Sequence, residues 1–289
     1  MTFQYTELSY FPGCSLATTA KENNASLISF LEDFDIELNE VEDWNCCGSS
    51  STHSVDSNLA LALASRNLFL APEDKPLLIA CPGCYLRLGL AKMELHRDKA
   101  KRKSVERHFG QNYNHELRLL HFFELLVKMG KSGFFRGLKG RLRGLKIAPY
   151  YGCMLARPPR MNKEKNHYGL IERTMGSLGG EPVQWGFSAS CCGTFLSVSR
   201  PEISSTLVNR IMKGAVQSGA DCIVTACAMC QLNLEIRCDS QNQIPVFHFS
   251  ELLSLALEHK ASKDWFNRHL INPESVLRQK QLLPCQSTG

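Results

Sequence analysis

Cysteine is the residue type in this chain that could carry the most chemistry. The sequence holds 13 cysteines in 289 residues, and ten of them form two similar series. Each series consists of a lone cysteine, a Cys-Cys-Gly sequence and a Cys-x-x-Cys sequence. The first series is Cys14, Cys46, Cys47, Cys81 and Cys84, and the second is Cys153, Cys191, Cys192, Cys227 and Cys230. Because thiolates ligate metals and take part in redox reactions, each series predicts a metal or redox site.

The two series belong to an internal repeat. Thirty-three residues separate Cys47 from Cys81, and thirty-four separate Cys192 from Cys227. The flanking sequences repeat as well. A Tyr-Phe-Pro-Gly or Tyr-Tyr-Gly sequence precedes each lone cysteine, and residues 121–126 (HFFELL) match residues 248–253 (HFSELL). This agreement predicts that the chain consists of two copies of one unit.

Each copy is predicted to alternate strands with helices. Strands are predicted at residues 8–11, 36–41, 76–80, 145–150, 182–185 and 222–225. Each cysteine group follows the carboxyl end of such a strand, the edge at which α/β sheets bind ligands. We therefore expect an α/β fold of two pseudo-symmetric repeat domains, each with a small, mainly parallel sheet and flanking helices. The predicted division is a first cysteine-rich domain over 1–130, a basic linker over 131–144, a second cysteine-rich domain over 145–259 and a C-terminal extension over 260–289.

Helices are expected between these strands. In the first copy, Thr18 or Thr19 is predicted to cap a helix with one apolar face, which comprises Leu27, Ile28, Leu31 and Phe34. A second helix is predicted over 55–70, with Leu59, Leu63 and Leu70 turned inward. A third is predicted from residue 85 onward.

Two segments have alternative interpretations. The linker contains four glycines and several basic residues, so it is either a solvated connector or a basic patch for an acidic partner or a phosphate-bearing substrate. The extension is polar and has no counterpart in the repeat. It either docks on another subunit or is loose.

Composition excludes several classes of protein. The net charge is +5 and 44% of the residues are hydrophobic, as in an ordinary globular protein rather than a disordered chain or a strongly cationic nucleic-acid binder. No run of about 18 apolar residues predicts a membrane span, and residues 1–5 lack the features of a secretory signal. We therefore expect a cytoplasmic protein, one that reaches a membrane only through partners. In that compartment thiols stay reduced, so disulfide bonds are not expected.

The donor set favours an iron–sulfur cluster over zinc. A structural zinc site takes four ligands, whereas each series offers five cysteines. Adjacent cysteines leave the backbone in different directions, so they reach two irons of one cluster more easily than a single zinc ion. A cubane cluster takes four thiolates, so the fifth is either a free neighbour or a sign of a larger, non-cubane cluster. Zinc binding and simple burial of the cysteines are the alternatives.

The glycines beside the cysteine pairs and the three cysteines outside the two series can be interpreted individually. The glycine after each cysteine pair lets the backbone approach a cluster closely, and its N–H can donate to a sulfide. Cys222 is predicted to be a core residue, and Cys238 and Cys285 are interpreted as bystanders.

His53 is a candidate proton donor or an ordinary loop histidine. His121 and His248 begin predicted helices, which favours a structural role. Arg157 and Arg160 either bind a substrate carboxylate or phosphate or lie in a surface loop.

The doubled signature resembles the B subunit of heterodisulfide reductase and related modules of bacterial redox complexes, over about residues 10–253. The resemblance implies two non-cubane 4Fe–4S clusters, each held by one series. One set of ligands would be Cys14, Cys46, Cys47, Cys81 and Cys84, and the other Cys153, Cys191, Cys192, Cys227 and Cys230. It also implies an oxidoreductase acting on a sulfur group, which cleaves a disulfide to two thiols with one substrate sulfur at each cluster.

The resemblance further implies partner subunits. Electrons would come from a flavin-bearing A-type subunit through a ferredoxin-like C-type subunit. The chain has no G-x-G-x-x-G fingerprint for a dinucleotide, so it is not expected to collect electrons from NADH by itself. P-loop and metalloprotease motifs are likewise lacking in the sequence.

The sequence is compatible with three functions. The first is catalytic reduction of a disulfide. The second is electron transfer to another acceptor, since residues 43–53 (DWNCCGSSSTH) look like bacterial relatives. Some of these serve quinone-linked, type E succinate or fumarate complexes, and others serve sulfur oxidation or the reduction of aromatic compounds. The third is a zinc-stabilised scaffold.

Overall fold

The protein folds around two parallel four-stranded sheets that repeat one topology. The computed structural model describes residues 5–49, 51–156, 167–239, 241–258 and 262–283. The first sheet has the order β2-β1-β3-β4, from β1 (Glu7–Phe11), β2 (Glu37–Glu40), β3 (Leu77–Ile79) and β4 (Leu119–His121). The second has the order β6-β5-β7-β8, from β5 (Lys146–Tyr150), β6 (Glu181–Pro182), β7 (Cys222–Thr225) and β8 (Val246–His248). The predicted fold class is confirmed.

Helices flank both sheets. Those of the first half are α1 (Gly13–Ala17), α2 (Lys21–Glu32), α3 (Thr52–Val55), α4 (Ser57–Leu70), α5 (Pro82–Arg97), α6 (Lys99–Phe109) and α7 (Phe122–Lys131). Those of the second half are α8 (Gly152–Ala156), α9 (Leu170–Ser177), α10 (Pro201–Gln217), α11 (Ala228–Arg237) and α12 (Phe249–Ala256), followed by α13 (Ser262–Phe266) and α14 (Glu274–Gln279). A strand is followed by α1, α5 and α7 in the first half and by α8, α11 and α12 in the second, so the duplication extends to helix positions.

Two local predictions were wrong. The hydroxyls of Thr18 and Thr19 donate back to the carbonyls of Cys14 and Ser15, so neither threonine caps α2, which begins at Lys21. Leu59 is 49% exposed rather than turned inward. The Asp56 carboxylate caps α4 by accepting from the backbone N–H groups of residues 58 and 59, so Leu59 lies in the exposed first turn. The buried residues of α4 lie in its later turns and are Ala64, Ser65, Asn67 and Leu68.

One hydrophobic core joins the two halves. The phenyl rings of Phe122 on α7 and Phe249 on α12 lie 5.0 Å apart between centroids, and both are buried. Helix α2 packs against α12 through small side chains, with the Ser26 and Ser250 hydroxyl oxygens 2.7 Å apart. The Ser254 hydroxyl also donates to the Ser26 carbonyl. Close packing of this kind fixes the two sheets relative to each other.

The described part of the C-terminal segment packs on its own chain. Phe266 and Leu277 are fully buried in the shared core. The His269 imidazole lies between the carboxylates of Glu235 and Glu251, at 2.9 and 2.8 Å. Burial alone would lower the pKa of His269, but the charge of Glu251 and hydrogen bonds to both carboxylates raise it to about 10. A charged histidine therefore ties the segment to α11 and α12.

The linker between the halves is likewise folded onto the core. Leu142 is fully buried, and Phe134, Phe135 and Leu138 pack against the shared core. Its basic side chains remain at the surface, and Arg141 pairs with Glu258. The linker thus combines a packed apolar side with an exposed basic side.

Candidate metal centre

All ten cysteines of the two series line one cavity between the halves. The cavity has a volume of about 140 Å³. Helix α5 of the first half packs against α8 of the second, and α11 packs against α1, which brings the two groups of thiols together. The other lining residues carry no charge and are Ser15, Ser49, Gly83, Met154, Thr194, Phe195 and Met229. The structure therefore gathers into one place the residues that the sequence singled out.

Strand ends and helix starts position the thiols. Each lone cysteine lies in the first turn of a short helix directly after a strand, Cys14 in α1 and Cys153 in α8. Each Cys-x-x-Cys begins a longer helix: Cys81 and Cys227 lie at the N-caps of α5 and α11, and the second cysteine follows in the first turn. Backbone N–H groups at a helix start lack intrahelical partners and stabilise negative charge. At the start of α5, a hydrogen bond from the Cys84 thiol, with others from the backbone N–H groups of Cys84 and Gly83, lowers the pKa of the Cys81 thiol to about 7.

The sulfur contacts follow the same pairing in both series. In the first, the Sγ atom of Cys46 lies 3.5 Å from that of Cys14, and Cys47 Sγ lies 3.2 Å from Cys84 Sγ. In the second, the corresponding contacts join the two pairs Cys153–Cys191 and Cys192–Cys230. Adjacent cysteines thus point to different partners. In the described part of the chain, no group of three or more His, Cys, Asp or Glu side chains converges on the position of a single metal ion.

Glycines make room for the sulfur atoms. Gly13 has a φ of +74°, and a Cβ atom there would lie 2.7 Å from Cys84 Sγ. Gly152, its counterpart in the repeat, has a φ of +61°, and its Cβ atom would lie 3.4 Å from Cys230 Sγ. Glycine is the residue that adopts positive φ freely and allows such an approach. The repeated Gly-Cys sequence was the signal for this role, which was not predicted from the sequence.

The glycine after each cysteine pair also contributes. Gly193 has a φ of +77°, and its backbone N–H donates to Cys191 Sγ at 3.4 Å. Gly48 has a φ of +70° and its N–H helps lower the pKa of the Cys46 thiol. The expected donor is therefore in place, and in this structure its acceptor is a cysteine sulfur.

The thiols stabilise one another as thiolates. A hydrogen bond from Cys14, with others from Cys47 and backbone N–H groups, lowers the pKa of Cys46 to about 2. A hydrogen bond from Cys153 lowers the pKa of Cys191 to about 6, against the opposing effect of burial. The partners that donate these bonds have pKa values raised above the ordinary range. Each series therefore holds thiolate at neutral pH, the form in which cysteine binds metals.

The three candidate histidines do not line the cavity. His53 is exposed on α3, and its Nδ1 atom accepts from the Arg87 guanidinium at 2.8 Å. Burial and the Arg87 charge lower the pKa of His53, so it is neutral at pH 7. His121 and His248 are buried at the starts of α7 and α12, where their Nδ1 atoms bond to the Phe123 N–H and to the Ser250 hydroxyl.

The remaining candidates fall into two groups. Cys222 is fully buried in β7, in agreement with its predicted place in the core. Cys238 is partly exposed at the end of α11 and does not line the cavity. Arg157, Arg160 and Cys285 lie outside the described residues.

Sequence comparison identifies the repeated unit. The chain matches the cysteine-rich domain CCG over residues 8–89 and again over residues 147–235. The membrane anchor subunit of 8-methylmenaquinol:fumarate reductase from Wolinella succinogenes is 30% identical over 92% of this chain and 97% of its own length. The B subunit of the ferredoxin/F(420)H(2)-dependent CoB-CoM heterodisulfide reductase from Methanosarcina acetivorans is 28% identical over 87% and 89%. In the described residues of this chain, no helix combines the length and the hydropathy needed to span a membrane.

A solved structure shares the fold. A hypothetical protein from Helicobacter pylori superimposes with a TM-score of 0.72 at 13% identity. The superposition covers 92% of this chain and 52% of that one, so this chain spans about half the length of that protein. At this identity the likeness concerns the fold. Both copies of the domain and the relatives that match nearly the whole chain lead to one conclusion: the chain belongs to the family of proteins built on the cysteine-rich CCG domain, which it carries twice.

Proposed function

We propose that this chain is the catalytic iron–sulfur subunit of a heterodisulfide-reductase-like complex. The proposed reaction takes a small-molecule disulfide, two electrons and two protons to two thiols. The observation that carries the proposal is that two equivalent sets of five thiols, one from each half, face one cavity. Cleavage of a disulfide needs two electrons, and two one-electron sites on one cavity could supply them together.

The residues present fit two 4Fe–4S clusters, of non-cubane type. No His, Asp or Glu side chain lines the cavity, and its ten cysteine thiols are the ligands that iron–sulfur clusters take. The adjacent cysteines diverge, which suits two irons of one extended cluster better than a single ion. We propose as ligands Cys14, Cys46, Cys47, Cys81 and Cys84 for one cluster and Cys153, Cys191, Cys192, Cys227 and Cys230 for the other. When bound, the clusters would supply electrons one at a time.

The other lining residues would receive the substrate. Met154, Phe195 and Met229 offer apolar and polarisable surface, which suits a sulfur-containing substrate. The hydroxyls of Ser49 and Thr194 lie at matching positions after the two cysteine pairs and can hydrogen-bond to sulfur. The Thr194 hydroxyl already helps lower the pKa of the Cys192 thiol. These residues would orient the substrate and hold protons near its sulfur atoms.

Partner subunits would deliver the electrons. The relatives that match this chain are named as subunits of larger enzymes. We propose a flavin-bearing A-type subunit and a ferredoxin-like C-type subunit as partners. Their role would be to move electrons to the cavity, since this chain carries no dinucleotide fingerprint.

A second candidate function is electron transfer in a quinone-linked complex. It is favoured by the relative from Wolinella succinogenes, whose name specifies a quinol:fumarate reductase. The uncharged, partly apolar lining of the cavity would also accept a quinone ring. In this case the chain would pass electrons between a quinol and a partner enzyme without cleaving a disulfide.

Metal and sulfide analysis tests the proposal. Anaerobically purified protein should contain about eight irons and about eight acid-labile sulfides per chain, with electron paramagnetic resonance signals that change on reduction. A C46S variant should lose about half of the iron, whereas C238S, a change outside the cavity, should keep all of it. Zinc in place of iron would contradict the proposal.

A substrate assay separates the two functions. The reduced holoprotein should be oxidised by a small-molecule disulfide, with release of two thiols for each disulfide. Oxidation by a quinone, with no disulfide acting, would favour the second candidate instead.

A further inference from the structure

We propose that the two cysteine series are electrostatically unequal, and that Arg87 gives the cluster of the first series the higher reduction potential. This inference rests on the proposed function, because it concerns the clusters that the two series would hold. It assigns a role to a residue that does not line the cavity. Arg87 would act through the electrostatic effect of its positive charge on the thiols of the first series.

The inequality follows from one position in the repeat. Arg87 lies one turn after Cys84 on α5, and Asn233 lies one turn after Cys230 on α11. Asn233 is buried and its side-chain amide donates to the Cys192 carbonyl at 2.7 Å, behind the second cysteine pair. At this position of the repeat the first half therefore carries a guanidinium and the second half a neutral amide.

The positive charge of Arg87 is not neutralised by an acid. Its terminal nitrogen donates to the Nδ1 atom of His53, which is neutral, and its Nε atom is buried without a hydrogen-bond partner. No ion pair between described residues includes Arg87. Burial lowers the pKa of Arg87, and the charge of Cys47 acts in the opposite direction. The charge of Arg87 therefore interacts with the Cys47 thiol of the first series.

The residues that line the cavity also differ between the two halves, and those of the second half are more apolar. Beside the lone cysteine, Ser15 of the first half is replaced by Met154 in the second. Within the Cys-x-x-Cys sequence, Gly83 is replaced by Met229. Phe195 also lines the cavity in the second half, while Ser49 and Thr194 place a hydroxyl at matching positions of the two halves. The surroundings of the second series are therefore more apolar.

Both differences favour reduction at the first series. Reduction adds one negative charge to a cluster, and a nearby fixed positive charge stabilises the reduced form. A more polar and more exposed environment does the same, and Cys14 is exposed whereas Cys153 is only partly so. An electron that enters the protein would therefore reside at the first series before the second is reduced.

A redox titration of the anaerobic holoprotein, followed by electron paramagnetic resonance, tests this inference. The wild-type protein should show two separate midpoint potentials. The R87Q variant should lower the higher of the two and leave the other in place, while R87K should stay close to the wild type because it keeps the charge. R237Q is the matched control: Arg237 lies two turns after Cys230 on α11, and its side chain donates to the Ser197 carbonyl. That variant should leave the higher midpoint unchanged.

The outcomes separate this inference from the function on which it rests. If iron and sulfide are absent, the proposed function fails. If both clusters are present but share one midpoint potential in the wild-type protein, the inference is overturned. This outcome does not depend on whether any variant folds. A loaded R87Q protein with two unshifted midpoints, or with a shift of the lower one, would overturn it as well.

Discussion

Replacing Gly13 by alanine tests how the first set of thiols is positioned. Gly13 has a φ of +74°, and left-handed backbone costs an L-residue about 1–2 kcal/mol. The new Cβ atom would also lie 2.7 Å from Cys84 Sγ, about 1 Å closer than the ~3.5–4.0 Å at which heavy atoms pack best. Cys84 would therefore have to move by about 1 Å. Metal–ligand distances tolerate only about 0.2 Å, so we expect the first series to lose its metal.

The chain offers a matched control and a graded variant. Gly110 has a φ of +70° with nothing within 4 Å of an added Cβ atom, so Gly110→Ala carries the backbone cost alone. Gly152→Ala places its Cβ atom 3.4 Å from Cys230 Sγ, which asks for a shift of a few tenths of an ångström. We expect full iron content in Gly110→Ala, a partial loss from the second series in Gly152→Ala and loss of about half of the iron in Gly13→Ala.

The assay combines urea unfolding with iron analysis on anaerobically purified protein. Gly13→Ala and Gly110→Ala should lose comparable free energy of unfolding from the backbone, while iron content should fall only in Gly13→Ala. If Gly13→Ala keeps as much iron as Gly110→Ala, then contact between Gly13 and Cys84 does not position the thiol, and the reasoning is refuted.

Two further predictions concern polar groups behind the cavity and at the C-terminal segment. Asn233→Asp removes the donor to the Cys192 carbonyl and should lower the free energy of unfolding by about 1–3 kcal/mol, measured in urea; an unchanged midpoint would contradict it. The raised pKa of His269 means that its stabilising charge is complete below pH 6.5 and is lost as the pH rises through about 10. The urea midpoint should therefore fall over this range, and it should fall less in His269→Gln, whose Glu235 and Glu251 lose their cationic partner. Equal pH dependence in both proteins would contradict this.

Much of the fold could be predicted from the sequence because the signals are local or repeated. Strand β7 was predicted with its observed bounds, since Cys222–Thr225 is an apolar run that ends at a Cys-x-x-Cys sequence. The repeat also placed every cysteine group after the end of a strand. Strands β4 and β8 were not predicted, because three residues are too few to show a period of two.

The contacts that shape the cavity could not be predicted because they join distant parts of the chain. Gly13 approaches Cys84 across 71 positions of sequence, and Arg87 reaches back to His53 across 34. The sequence shows that a glycine precedes each lone cysteine, but it does not show which sulfur that glycine faces. Leu59 illustrates a different limit, since an apolar residue with helical spacing can still lie in an exposed first turn, here the turn that Asp56 caps.

The shared core has a consequence for how such a chain could arise. Each half contributes an aromatic face: Phe122 and Phe123 of the first half contact Phe249 of the second, and all three side chains are buried. A half-length ancestor would have exposed this face to water, which soluble monomers avoid. Such a unit is therefore expected to pair with a second copy of itself about a two-fold axis, and this pairing would already enclose two identical sets of thiols. Duplication and fusion then allow the two sets to diverge, as Arg87 and Asn233 have done.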